Sequence, residues 1–263
     1  MNFFANSQLT PWQWGLLIFC AIGIGVSKTG IAGVGSIVIS VVALVFQARE
    51  STGIVLPMIC FADILAIIWY RRNVAWKYIG VLLPWALCGF CIALIFDNFI
   101  STNSSYDAIF QIMLGVCILI CLIVMIWNDY YHAKNAFVPS SRWFGVLFGI
   151  LGGFTTMIGN TAGPILSIYL LAMRLPKISF VGTAVWFFFI INFLKLPLQY
   201  FIWRNIKLEG LLLNLTLSPF IVLGAALGIV IVKKISEHRY RIWVYIMTIV
   251  SIGLLFWQVY SQN

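Results

Sequence analysis

Lys28–Gly35 reads KTGIAGVG, and Thr155–Pro164 reads TTMIGNTAGP. Each stretch interrupts a long apolar run, residues 12–46 in the first case and 143–173 in the second. A lysine, hydroxyls, an asparagine and several glycines therefore stand where an apolar segment should continue. Around them the chain is 62% hydrophobic and 9% charged over 263 residues, with a mean hydropathy of +1.03. Soluble domains carry roughly 25% charged residues. The composition excludes a soluble globular protein and predicts an all-α integral membrane protein held almost wholly in the bilayer.

The rest of the composition agrees. Trp12, Trp14, Trp69, Tyr70, Trp76, Trp127, Tyr130, Tyr131, Trp203 and Trp257 gather near the ends of apolar runs, as an interfacial aromatic belt does. The net charge of +9 sits in short loops and reads as topology rather than nucleic-acid binding. Residues 1–11 carry no Lys or Arg, so a cleavable leader is not expected. The six cysteines fall within apolar runs and read as small hydrophobes. His132 and His238 lie in loops, so neither a metal site nor a cofactor is predicted.

Eight apolar runs cover about 12–46, 54–70, 76–96, 107–127, 143–173, 178–203, 208–232 and 241–258. Six have ordinary spanning length, close to the roughly 20 residues a bilayer needs. The first and fifth exceed 30 residues and break near their middles. Each half is then about 13–15 residues, or roughly 20 Å of helix, short of a hydrocarbon core of about 30 Å. Loop charges choose between a kinked single crossing and a re-entrant hairpin. Single crossings divide the loop Lys and Arg seven against seven, whereas hairpins divide them eleven against three. The positive-inside rule favours the hairpins, with both termini outside.

The two halves also correspond. Gly35 falls against Gly163, Gly53 against Gly182, Asp63 against Asn192, Arg72-Asn73 against Arg204-Asn205, Pro84 against Pro219, and Gly89 against Gly224. Each half, residues 1–133 and 134–263, would hold one broken or re-entrant hairpin and three transmembrane helices. An odd number of crossings turns the second copy upside down relative to the first. Inverted repeats with broken helices are an architecture of secondary transporters, with the site at the midplane.

The breaks carry the candidate chemistry. Lys28, Thr29, Gly30, Gly33 and Gly35 form the first, and Thr155, Thr156, Asn160, Thr161 and Gly163 the second. A helix restarting after a glycine turn aims N–H groups and a positive dipole end at the midplane, which suits an anion. Lys28 adds a full charge; the bland alternative is snorkelling to an interface. Gly149/Gly153 and Gly224/Gly228 also fit close helix packing. Asn192, Lys195 and Gln199 lie mid-run on one face and join the candidate substrate set. Asp63, also mid-run, is the candidate proton carrier or counter-ion, because ionisable groups at this depth are costly unless paired. Arg71, Arg72 and Arg204 at span ends read as orientation signals.

At these residues the chain resembles a known family. GVSKTGIAGVGSIVIS (Gly25–Ser40), GGFTTMIGNTAGPILSIYLLAMRLPK and FVGTAVWFFFIINFLKLP (within Gly152–Pro197) are similar to the sulfite exporter TauE/SafE family. The resemblance covers nearly the whole chain. It implies a membrane transporter of the bacterial inner membrane for a small sulfur-containing anion: sulfite, thiosulfate, or an organosulfonate such as sulfoacetate. It places inward-facing stretches at Lys28–Gly35, Thr155–Gly163 and Phe180–Pro197. The expected partners are the small anion, the lipid bilayer and protons, with no nucleic acid. An anion channel or a carboxylate carrier would use the same residues. An intramembrane enzyme is disfavoured, since the chain has no GxSxG turn, no HExxH and no Walker motif.

Overall fold

The computed structural model describes residues 10–45, 48–100, 142–159, 162–202 and 204–262, with single positions between 116 and 126. The expected span 107–127 and the boundary between the halves lie largely outside these residues. Among the described residues the protein is all helical: α1 (Pro11–Thr29), α2 (Val34–Val45), α3 (Ala48–Tyr70), α4 (Trp76–Ile100), α5 (Arg142–Gly159), α6 (Gly163–Ala172), α7 (Lys177–Phe201), α8 (Leu208–Lys234) and α9 (Glu237–Gln262). Helices α3, α4, α7 and α8 are long and apolar enough to cross a membrane. The chain is a multi-pass helical membrane protein.

Both interrupted runs fold back on themselves. Helix α1 starts at Pro11, whose missing N–H costs nothing at a first helical position. The Gln13 side chain accepts from the Thr10 amide at 2.9 Å and from its hydroxyl at 2.8 Å. The chain turns at Gly33, which holds φ +96°, a backbone state that glycine adopts without penalty. Helix α2 then returns alongside α1. A Cβ on Gly23 would lie 2.6 Å from Val38 Cγ2, and the Gly35 amide donates to the Ser27 hydroxyl at 2.9 Å. A continuous helix would separate residues 23 and 38 by roughly 22 Å. In the second run a Cβ on Gly152 would lie 3.9 Å from Ile165 Cγ2, so α6 likewise returns along α5.

The arms are unequal, which corrects the expectation of 13–15 residues on each side. First arms α1 and α5 have 19 and 18 residues, and return arms α2 and α6 have 12 and 10. Polar residues near the breaks stay helical because their hydroxyls turn inward. Thr29 Oγ1 donates to the Gly25 carbonyl at 3.0 Å, and Thr155 Oγ1 to that of Leu151 at 2.8 Å. Such back-bonding satisfies the hydroxyl without ending the helix. The first break is displaced to residues 30–33, where the left-handed glycine stands.

Small residues set the remaining packing. In lipid, helices associate by close van der Waals contact, which small side chains permit. A Cβ on Gly25 would strike the Ile221 carbonyl, and one on Gly224 that of Ile22, so α1 and α8 touch backbone to backbone. Helices α5 and α4 repeat the contact: a Cβ on Gly153 would strike the Ala86 carbonyl, and one on Gly89 that of Ile150. Gly53 packs on the Asn205 carbonyl, and Gly182 on that of Asn73. The α1–α8 contact thus has a like contact between α5 and α4, and Gly53 on Asn205 a like contact in Gly182 on Asn73. The close-packing reading of Gly149/Gly153 and Gly224/Gly228 fits the same surfaces, since Gly149 faces Trp85 and Gly228 faces Thr29.

Candidate functional site

The site is built where α3 and α7 meet. Asp63, in the middle of α3, is fully buried, and Asn192, on α7, is 2% exposed. Asn192 Nδ2 donates to Asp63 Oδ2 at 2.7 Å. Lys28, in the last turn of α1, brings Nζ to 2.9 Å from Asp63 Oδ1. A lone charge at this depth is costly, and a paired, hydrogen-bonded one is tolerated. The pair is asymmetric: Asp63 has no exposed side-chain surface, whereas Lys28 keeps 13%. Lys28 Nζ also stands 4.3 Å from the centroid of the Phe188 ring, a cation–π distance.

The exposed side of Lys28 faces a cavity of about 80 Å³ between the first hairpin tip, α6 and α7. A single water needs roughly 10–15 Å³ on this scale, so the space suits an ion of a few heavy atoms. Its polar lining comprises Ser27, Lys28, Thr156, Ser167, Asn192 and Tyr240, and Gly30, Gly33, Gly35 and Gly163 supply backbone. Leu166, Leu170, Val185 and Phe188 supply much of the apolar wall. Both return arms, α2 and α6, begin at this space, with their first turns toward it. Ser27 spans the first hairpin by accepting the Gly35 amide.

The structure therefore brings Lys28, Gly30, Gly33, Gly35, Thr156, Gly163 and Asn192 around one cavity, with Asp63 directly behind Lys28. It places four candidates elsewhere. Thr29 turns its hydroxyl to the Ala225 carbonyl of α8 at 2.7 Å. Thr155 is back-bonded within α5. Lys195 and Gln199 are buried but do not line the cavity. Lys195 Nζ donates to the Thr156 carbonyl, in the last turn of α5. Asn160 and Thr161 lie outside the described residues.

Sequence reasoning passed over Ser167, Phe188, Tyr240 and Tyr70. Ser167 is four residues past Gly163 in an otherwise apolar helix, and that spacing was a readable signal. Phe188 sits in the run FFF at 187–189 and carried none. Tyr70, read with the interfacial aromatics, is only 3% exposed and donates to the Thr29 carbonyl at 2.8 Å. Tyr240 donates to the Gly30 carbonyl at 3.3 Å.

The chemistry available is binding. One cation and one carboxylate balance each other beside the cavity. Residues 17–255 match the protein-family model described as Sulfite exporter TauE/SafE. No curated protein and no solved structure matches the chain.

Proposed function

The chain belongs to the sulfite exporter TauE/SafE family, a family of membrane transporters rather than enzymes. From that premise we propose that it is a secondary transporter moving a small sulfur-containing anion across the bacterial inner membrane. Sulfite, thiosulfate and a short organosulfonate such as sulfoacetate are the candidate cargoes. The observation that carries this reading is Lys28: a cation at membrane depth, held by Asp63 and partly exposed to a small cavity. The anion binds there, with Ser27, Thr156, Ser167 and Asn192 as polar neighbours. Asp63 is the coupling group, taking a proton as the anion takes Lys28.

The same reading makes the two halves an inverted repeat. The reciprocal glycine–carbonyl contacts and the Asp63–Asn192 bond between corresponding positions support it. The hairpin fold-back of both interrupted runs supports a topology with both termini outside and most loop Lys and Arg in the cytoplasm. A dianion leaving with the one proton of Asp63 still carries one net charge down an inside-negative potential, worth about 2.3 kcal/mol per 100 mV. Export therefore needs no nucleotide.

Thermal-shift binding to purified protein tests the site, with sulfite, thiosulfate, sulfate, sulfoacetate, taurine and acetate as probes. Stabilisation by a sulfur oxyanion or sulfonate, lost in Lys28→Ala, is expected. A shift that survives Lys28→Ala would move the site away from this cavity. Counterflow in proteoliposomes then separates carrier from channel, since only a carrier exchanges labelled for unlabelled anion with saturation.

A further inference from the structure

Lys28 stands at the end of a helix whose last carbonyls need partners. The final four C=O groups of an α-helix have none within it, and the bilayer interior offers no water to replace them. At the first tip two phenols fill this need. Tyr70 donates to the Thr29 carbonyl at 2.8 Å, and Tyr240 to the Gly30 carbonyl at 3.3 Å. Both rings are buried, and they reach the tip from α3 and from the first turn of α9. Tyr240 also packs edge-on to Phe180, at 5.6 Å between centroids, and both rings line the cavity.

Helix α3 holds this part of the chain at two points. Asp63 takes the ammonium of Lys28, and Tyr70, two turns further along, takes the carbonyl of the next residue. Residues seven apart lie on one face of a helix, so a single rigid element fixes both the charged end and the backbone end of Lys28. We propose that Tyr70, assisted by Tyr240, is a positioning residue of the anion site, its phenol setting where Lys28 stands between Asp63 and the cavity. This rests on the anion-site reading of Lys28 given above.

The test removes one oxygen at a time. Tyr70→Phe keeps the ring and leaves the Thr29 carbonyl without its phenol donor. Sulfite uptake into proteoliposomes should show KM raised about five- to thirty-fold with the maximal rate changed less than twofold. Tyr240→Phe, which loses the longer bond, should raise KM less. In a Lys28→Ala background Tyr70→Phe should leave the residual sulfite affinity unchanged, because a residue acting through Lys28 has nothing left to act on. Losses that add in the double variant, or stability lost with KM unmoved, would overturn the proposal. Hydrogen exchange of the amides at residues 30–35 without any anion gives a separate reading. Faster exchange in Tyr70→Phe is expected, and unchanged exchange would overturn the clamp even if the parent bound no sulfite. Absence of sulfite binding in the parent would count against the anion-site reading alone.

Discussion

The first hairpin tip is held by two phenols, and the second by an ammonium. At the first, Tyr70 and Tyr240 donate to the carbonyls of Thr29 and Gly30, so neutral groups close the helix end and the local cation, Lys28, is turned to Asp63 and the cavity. At the second, Lys195 donates to the Thr156 carbonyl near the end of α5, where the negative end of the helix dipole favours a cation. Two lysines that look alike in the sequence thus occupy unlike settings. One is 13% exposed along its side chain at a ligand-sized space, and the other is fully buried against a helix end. Depth in the membrane does not by itself assign a charge to a substrate; the identity of the group it faces does.

The largest effect should come from Asp63, the carboxylate that pairs with the lysine of the first tip. Asp63→Ala removes one partner of a buried ion pair, a change that costs about 3–5 kcal/mol. The exposed part of Lys28 places it near the lower bound. Asp63→Asn is the gentler variant, because it keeps an oxygen for Asn192. In the parent, protonating Asp63 releases Lys28, so anion affinity should rise as pH falls. Asp63→Asn should hold the high-affinity state at every pH, giving a flat profile for thiosulfate, an anion that does not itself take up a proton near neutral pH. A parent profile that is already flat would separate Asp63 from coupling and leave it as a counter-ion.

Next is the backbone contact beneath each tip. Gly25→Ala and Gly153→Ala each place a methyl against a carbonyl of a neighbouring helix, an overpacking that costs about 1–3 kcal/mol. If the halves are copies, the two losses should agree within about 0.5 kcal/mol, the scatter of independent sites. A large inequality in thermal unfolding would show that the tips rest on unlike scaffolds as well as unlike donors.

Lys195→Met tests the donor of the second tip. It leaves the Thr156 carbonyl buried without that bond, at a cost of about 1–3 kcal/mol. Stability should fall while sulfite affinity changes by less than the loss seen in Lys28→Ala. The reverse pattern, affinity abolished with stability kept, would return Lys195 to the substrate set in which its sequence neighbourhood first placed it.

The sequence made the membrane class, the two interrupted runs and the central polar residues legible, because each depends on local contrast. A charge or a glycine cluster inside an apolar run is visible without knowing what packs against it. The fold-back followed from loop charges, a property of the whole chain. The arm lengths did not follow, since Thr29 and Thr155 bond to their own helices and a hydroxyl reads the same whether it breaks a helix or decorates one. Tyr70 was misread for a related reason. A tyrosine at the end of a span serves equally well at an interface or as a buried donor, and only the position of Thr29 relative to α3 decides. Lys195 and Lys28 could be told apart only by their partners, which are 39 and 35 residues distant in the chain.

The smallest predicted effect is at the turn glycine Gly163, and Gly33 supplies the contrast. Gly33 holds φ +96°, and a Cβ there would lie 2.6 Å from Met247 Cβ of α9. Gly33→Ala should therefore cost about 1–2 kcal/mol for the left-handed backbone alone, with the clash in addition. Gly163, its neighbour across the cavity, has no positive φ, and among the described residues no neighbouring atom lies within 4 Å of the place a Cβ would take. Gly163→Ala should change stability by no more than about 0.5 kcal/mol. Any loss it causes must then appear in anion affinity, because the added methyl would occupy cavity space rather than a packed interface. Unaltered stability with weakened sulfite binding would place the ligand against the first turn of α6. Unaltered values of both would confine the ligand to the first tip, and the two hairpins would then differ in their share of the cargo as well as in how they are held.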